Sequence, residues 1–325
     1  MDTKIKISVY GTVYNSIFAI GDCLKSLTSQ FNFNGDFEFV VVDNFSTDGT
    51  FDVLQNYSKK FKNFHVMQMK CTKGVGRTEA YRNTHGKYTF YVDLDTIYLP
   101  VFSKIINSFA EKYETGTMLP FGFMDRKTAD TLMPWKDMNT YEDLEFCARA
   151  VNKGIKVYFP TITVSKNYIT SGNRDRRYEK NTIKFLKRLY RNTVYGIKGR
   201  GVTTFAELKR RYHGVKRIFS FLILIKMKLT RDEIYAYSNL SSNTEYLKRN
   251  EILLDPKKFG IDNKYWLSYV QPRFLDLSTA NKLIENHIAL GFDRFKFLEN
   301  GLILLYTQFT DRELLDYSMN FYSKY

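Results

Sequence analysis

Four short apolar runs rich in β-branched residues punctuate the first hundred positions, at 4–9, 37–43, 64–69 and 88–93. Each ends in turn-forming or polar residues, the pattern of strands buried in a parallel sheet. Between the runs the hydrophobic spacing becomes helical. Ile17, Ile20, Leu24 and Leu27 recur at i, i+3/i+4, with Ser16 placed to cap the helix. Helical stretches at 50–61 and 77–84 fill the next two gaps, and 101–113 follows the fourth run. This alternation predicts an α/β fold, a doubly wound, mostly parallel sheet with helices on both faces. Ligands of such sheets sit outside the carboxyl ends of the strands, so the chemistry is sought in the loops that follow them.

Three of those positions stand out. After the second strand comes Asp43-Asn44-Phe45-Ser46-Thr47-Asp48-Gly49-Thr50, which serves equally as a turn with a helix cap and as a binding loop. After the fourth comes Asp93-Leu94-Asp95, whose two carboxylates point the same way in extended geometry. Their repulsion is relieved by a nearby cation. A hard divalent ion, Mg²⁺ or Mn²⁺, holding oxygen ligands and a diphosphate is the natural one, although the same spacing also occurs in ordinary loops. The third is Glu142-Asp143, opening an amphipathic helix (Leu144, Cys147, Ala148, Val151) that Gly154 closes. Acids there are favoured by the helix dipole alone, by about 0.3–1 kcal/mol. The chemical reading makes one of them a general base.

Composition narrows the field. With 44% hydrophobic and 26% charged residues the chain is a folded globular protein. Three scattered cysteines without a CxxC pair, and four histidines without an HExxH pattern, predict reduced thiols and neither a disulfide framework nor a zinc site. The N-terminus shows no signal-peptide core. The longest apolar run, 218–225, falls far short of the roughly 20 residues of a membrane span. The expectation is a cytoplasmic protein, soluble or peripheral at the cytoplasmic face of a membrane. The net charge of +15 is concentrated: residues 174–231 hold 18 basic and 3 acidic side chains, whereas 1–173 and 232–325 are nearly neutral. A polyanionic partner is therefore sought in that segment first.

Taken in order, the strand-end motifs resemble the family-2, inverting, GT-A-type glycosyltransferases over about residues 4–170. Val13-Tyr14-Asn15 matches the family's opening, and Val41-Val42-Asp43-Asn44 with Ser46, Asp48, Gly49 and Thr50 its nucleotide-binding turn. Lys73-Gly74-Val75-Gly76-Arg77, Ala80 and Gly86-Lys87-Tyr88 match its helix start and the lead-in to its metal strand. Asp93-Leu94-Asp95 matches the DxD motif and Glu142-Asp143 the ED pair. The resemblance implies a nucleotide-diphospho-sugar donor, UDP- or GDP-linked, bound by Thr12, Tyr14, Asp43, Asn44, Arg77, Asp93 and Leu94. It implies Mn²⁺ or Mg²⁺ on Asp95 with Asp93, and Asp143 as the base, assisted by Glu142. Asn44 stands where many relatives have a second Asp. Residues 164–168 (Val-Ser-Lys-Asn-Tyr) lack the His that many relatives carry there, so the metal would rest on Asp95, water and phosphates, or Lys166 would reach the diphosphate. Trp135, just ahead of the ED pair, suits either a sugar face or the core.

These readings divide the chain into a GT-A catalytic domain (1–173), a basic amphipathic helical segment (174–231) and a C-terminal accessory region (232–325). In the middle segment Ile183, Leu186, Leu189 and Val194 keep helical spacing among lysines and arginines, toward an end at Gly196. It is either a solvated extension packed on the catalytic domain or a surface for an anionic membrane or a lipid-linked acceptor. In the last region a helix capped by Ser278 and closed by Gly291, a strand within 301–307 and a helix over 311–322 are expected. Acceptor selection and homo-oligomer formation are the roles left open for it. The rival readings are a basic nucleic-acid-binding protein, for which no recognition motif is present, and a sugar-phosphate nucleotidyltransferase, whose Gly-rich basic loop after strand one is absent.

Overall fold

The computed structural model describes residues 6–167, 182–212, 214–232, 234, 252–272 and 277–323. Strands β1 (Ile7–Val13) and β2 (Phe37–Asp43) pair in parallel over their full lengths, Ile7 opposite Phe37 and Val13 opposite Asp43. Helices α1 (Ile17–Thr28), α2 (Thr50–Lys60) and α3 (Lys73–Arg82) link them to β3 (Phe64–Gln68) and β4 (Tyr88–Tyr91). There follow β5 (Thr96–Tyr98), α4 (Val101–Glu111), β6 (Thr117–Met118) and β7 (Met124–Asp125). The main sheet has the order β3-β2-β1-β4-β7, parallel except for the antiparallel β7 at one edge. Alternate residues feed two cores. Ile7, Val9, Phe39 and Val41 face an aromatic layer with Phe31, Phe33, Phe64, Phe90 and Phe102. Tyr10, Val40 and Val42 face Ala80, Tyr81, Trp135 and Phe146.

Three boundaries differ from the sequence pattern, each for a local reason. β1 runs on through Gly11 and Thr12 to Val13 because β2 pairs with it that far. Glycine is required at position 11, where a Cβ would lie 2.9 Å from the carbonyl oxygen of Val92. α3 begins at Lys73 rather than 77, its glycines masking a helix that Thr72 caps by accepting from the Val75 N–H. β4 stops at Tyr91, so Asp93 and Asp95 lie in the turn beyond it.

Helices α5 (Arg126–Leu132) and α6 (Glu142–Asn152) lead to β8 (Lys156–Phe159) and β9 (Ser165–Asn167). β9 pairs antiparallel with β5, so Lys166 stands opposite Ile97, just past the acidic turn. The basic segment forms α7 (Thr182–Gly199), α8 (Phe205–Arg211) and α9 (Gly214–Leu229) around Ile197, Val202, Leu208, Ile223, Leu224 and Met227. Residues 174–181 of the expected basic helix lie outside the described residues. α7 passes through Gly196 instead of ending there. Finally, β10 (Ile252–Leu253) extends β8 in parallel, and β11 (Leu267–Val270), β12 (Arg294–Phe297) and β13 (Ile303–Tyr306) form an antiparallel sheet in the order β11-β13-β12. α10 (Leu277–Leu290) already includes Ser278, which therefore lies within the helix instead of capping it. α11 (Arg312–Tyr322) is capped by Asp311. Ile261, Trp266, Val270, Phe292 and Leu305 from this last region belong to the same hydrophobic cluster as the aromatic layer of the main sheet. Among the described residues no helix is long and apolar enough to cross a membrane.

Candidate active site

The loops after β1 and β2 are sewn together by short polar side chains. Ser46 Oγ accepts from the Asn15 N–H, Asn15 Oδ1 from the Thr47 N–H, and Asp48 from the backbone of Ile17 and Thr50. Asn15 and Phe45 hold positive φ angles of 45° and 52°, a conformation few non-glycine residues adopt, and each sits at the carboxyl end of a strand. The result is an open groove lined by Tyr14, Asn44, Phe45 and Lys70, with the rings of Tyr14 and Phe45 exposed. Asp43, the last residue of β2, is fully buried. Its Oδ2 accepts from the Ser46 N–H and from Gln68 Nε2, while its Oδ1 has no hydrogen-bond partner. Asn44 Oδ1 accepts from the Cys71 N–H, and the Thr12 hydroxyl donates to the Val42 carbonyl, so both have structural work at this edge.

The start of α3 is driven against its surroundings by glycine. A Cβ on Gly74 would lie 1.8 Å from the Lys136 carbonyl oxygen, and one on Gly76 would lie 2.5 Å from Thr12 Oγ1. This close approach carries Lys73 and Arg77 to the acidic turn. Arg77 bonds Asp93 Oδ1 at 2.8 Å and Glu142 Oε1 at 3.0 Å, and Lys73 Nζ lies 2.9 Å from each of the same two oxygens. Two cations and two anions thus close a neutral ring. Arg77 is only 1% exposed, and its guanidinium lies over the rings of Tyr91 (4.3 Å) and Trp135 (4.7 Å). Burial alone would raise the Glu142 carboxyl, but Lys73 and Arg77 outweigh it and hold Glu142 below the usual range. The same two cations hold Asp93 far down against the effect of burial, although its side chain is 41% exposed.

Asp143 is different. It is exposed, and its Oδ1 accepts only from the neighbouring Leu144 N–H among the bonds it makes here. The surrounding protein and then the charge of Glu142 raise its carboxyl above the ordinary value, against the pull of Lys73 and Arg77. Exposure of the side chain to water limits how far burial acts. The turn that presents this pair is fixed from outside. Tyr141 holds φ 65° at the start of α6, the Arg200 guanidinium lies 4.6 Å over its ring, and a Cβ on Gly199 would lie 2.9 Å from Tyr141 Cβ. The basic helix α7 is therefore packed directly on the residue before the ED pair.

Several expected site residues are thereby relocated. Trp135 is buried, with Phe146 stacked on it at 4.0 Å and Arg77 over its ring, so it braces the ring of charges and leaves no face for a sugar. The side chain of Leu94 is buried in the core, while Asp93 and Asp95 on either side of it are partly exposed. The mutual repulsion of the DxD carboxylates has an internal answer at Asp93, which Lys73 and Arg77 neutralise. Lys73 was visible in the sequence only as part of a glycine-rich string; its distance of 20 residues from Asp93 and 69 from Glu142 hid the contact. The Lys166 ammonium lies 5.9 Å over the Tyr317 ring. Among the described residues no three His, Cys, Asp or Glu side chains converge as a preformed metal cage. A single half-buried carboxylate at Asp95, beside an already compensated Asp93, fits a hard ion that takes its other oxygens from a bound diphosphate and water.

Residues 8–163 match the model of glycosyl transferase family 2. The poly(ribitol-phosphate) beta-glucosyltransferase of Bacillus spizizenii is 37% identical over 94 residues, 28% of this chain and 15% of that protein. The poly(ribitol-phosphate) beta-N-acetylglucosaminyltransferase TarS of Staphylococcus aureus is 30% identical over 118 residues, 35% of this chain and 20% of that protein. The chain thus spans a fifth or less of the length of these two relatives. The crystal structure of residues 1–349 of S. aureus TarS with UDP-GlcNAc is 16% identical with a TM-score of 0.46, covering 92% of this chain and 96% of that one.

Proposed function

We propose that this chain, whose residues 8–163 match the model of glycosyl transferase family 2, is a divalent-metal-dependent, inverting enzyme that moves a sugar from a nucleotide-diphospho-sugar to an acceptor hydroxyl. Its mainly parallel sheet with helices on both faces is the GT-A arrangement. The observation that carries the proposal is the division of labour in the ED pair: Glu142 is buried and neutralised, whereas Asp143 is exposed with a raised carboxyl.

The base and ribose of the donor enter the groove of Tyr14, Asn44, Phe45 and Lys70. Asp43 is fully buried at the end of β2 and shapes this edge through its bonds to the Ser46 N–H and Gln68 rather than by touching the donor. Lys73 and Arg77 hold Asp93 in place toward the diphosphate. Mn²⁺ or Mg²⁺ bound on Asp95 would neutralise the charge that develops on the leaving diphosphate. Asp143 takes the proton of the acceptor hydroxyl as that oxygen attacks the anomeric carbon and the bond to the diphosphate breaks on the opposite face, inverting the centre. Glu142 orients this machinery through Arg77 and does not receive the proton.

The acceptor reading rests on two supports. The two relatives named above are poly(ribitol-phosphate) glycosyltransferases, and Arg200 of the basic segment lies over Tyr141 beside the ED pair. An anionic polyol-phosphate polymer, or a glycan carried on a lipid phosphate, fits that charge. Calorimetry of UDP and GDP binding with and without Mn²⁺ tests the donor claim. The expected result is nucleotide binding strengthened by Mn²⁺ and a loss of that gain in Asp95→Ala. Binding that ignores the metal in both proteins would remove the metal from the mechanism.

A further inference from the structure

Helix α9 has two apolar faces, and among the described residues only one of them is packed. Ser220, Ile223, Leu224 and Met227 face inward and are buried in the small core of the basic segment. On the opposite side Ile218, Leu222 and Leu229 are 66%, 59% and 80% exposed, with the partly exposed Ile225 completing the i, i+4, i+7, i+11 stripe. Phe221 flanks the stripe and meets the exposed Phe205 of α8 at 4.2 Å between ring centroids. The rim is cationic: Lys226 and Lys228, on either side of the stripe, are exposed, with Lys228 over the Phe205 ring and Lys226 bonded to the Tyr190 hydroxyl of α7.

We propose that this outward face of α9, with Phe205 and Phe221, docks on an anionic lipid bilayer. Large apolar side chains in a stripe along a helix, flanked by lysines, are the pattern of a helix lying in the interfacial plane. Its apolar residues reach the headgroup–acyl boundary while the ammonium groups meet lipid phosphates. The two features together choose the partner. A soluble polyanion would use the lysines and leave Ile218, Leu222 and Leu229 without purpose. A second copy of the chain joined through the same face would bring two lysine rims together, a like-charge juxtaposition that disfavours it. Because α7 packs against Tyr141 through Gly199, a chain held by α9 would keep the edge bearing Asp143 at a fixed place relative to the lipid surface. The inference does not depend on the metal, the donor or the acceptor proposed above.

Sedimentation of the 325-residue chain with vesicles of phosphatidylcholine, alone or mixed with phosphatidylglycerol, tests it, with circular dichroism melting of each variant as the check on folding. The wild type should bind the anionic vesicles, more weakly as salt rises, and bind the neutral ones little. The pair Ile218→Glu and Leu222→Glu, at exposed positions, should reduce binding by about tenfold or more with an unchanged melt. Lys226→Gln and Lys228→Gln should weaken it by about fivefold each and flatten its salt dependence. Absence of wild-type binding to anionic vesicles overturns the proposal. So does undiminished binding by the folded glutamate pair. A wild-type dimer that Leu222→Glu dissociates would assign the face to self-association instead, and would likewise overturn it.

Discussion

A carboxylate can take a proton from a sugar hydroxyl only if it is ionised, reachable and basic enough, and Glu142 and Asp143 divide these requirements although they are adjacent. Glu142 faces inward, where Arg77 and Lys73 neutralise it; Asp143 faces outward and carries the raised carboxyl. Asp143→Asn should therefore lower kcat by about 10²–10⁴-fold while donor binding stays intact, measured by transfer assay and calorimetry on one preparation. Because the base works ionised, kcat/KM should fall as pH drops through the raised value, placing the acidic limb above the ordinary Asp range. Glu142→Gln removes the negative charge that helps to raise Asp143 and should move that limb to lower pH. An unmoved limb would mean that another group titrates there. The ring predicts a stability effect as well. Arg77→Met leaves Glu142 buried with one cation fewer and should cost about 3–5 kcal/mol in urea unfolding, with Glu142→Gln recovering part of the loss in the double variant. Since Asp93 and Glu142 are depressed in the folded state, what the ring contributes is present above the ordinary carboxylate range and is lost as pH falls through their lowered values. The participants Arg77, Asp93, Glu142 and Asp143 were legible from motifs. Their mutual pairing and the part of Lys73 were not, since contacts across 16 to 69 residues leave no local periodicity.

At the scale of elements, close approach through glycine decides where the charged side chains stand. Strand β2 and helix α1 follow directly from the apolar pattern, because buried strands and amphipathic helices write their environment into spacing. The start of α3 and the continuation of α7 through Gly196 do not, because there glycine is kept for the neighbour it admits and helix propensity is sacrificed. Gly199 makes the clearest test. A methyl group there would lie 2.9 Å from Tyr141 Cβ and 3.0 Å from the Tyr141 carbonyl oxygen, so Gly199→Ala must push α7 away from the start of α6. Overpacking of this kind costs about 1–3 kcal/mol, and a displaced Asp143 should lower kcat by roughly 10²-fold while nucleotide affinity, set in the groove after β1 and β2, holds. Gly21→Ala in α1 is the control. Nothing lies within 4 Å of its added methyl, and it should leave kcat unchanged and raise stability by about 0.5–1 kcal/mol.

Over the whole molecule, the charge and the cores are organised differently. The basic segment keeps its own small core, whereas the C-terminal region, for which the sequence suggested an accessory unit, contributes Ile261, Trp266, Val270, Phe292 and Leu305 to the aromatic layer beneath the main sheet. Its strand β10 also continues β8. That integration was hidden because the antiparallel sheet is short and β11 pairs with β13 rather than with a neighbour in sequence. A core shared with the main sheet should melt with it as one unit, and the two tryptophans stand on the sheet's two faces, Trp266 in the shared aromatic cluster and Trp135 in the core opposite. Trp135 stands behind the charge ring and Trp266 in the C-terminal region, its Nε1 donating to the Ile261 carbonyl. They are the only two in the chain. Trp135→Phe and Trp266→Phe each leave a single emitter. In each variant the urea transition seen by fluorescence should coincide with the one seen by far-ultraviolet circular dichroism, whatever the variant's own midpoint, apart from any early helical loss from α7–α9. If Trp266 emission in the Trp135→Phe variant changes before the Trp135 signal does in its counterpart, relative to each protein's dichroism, the C-terminal sheet unfolds separately and the shared cluster is not cooperative. Coincidence would instead tie the integrity of the sheet's carboxyl edge, and so of the site, to residues as distant in sequence as Phe292 and Leu305.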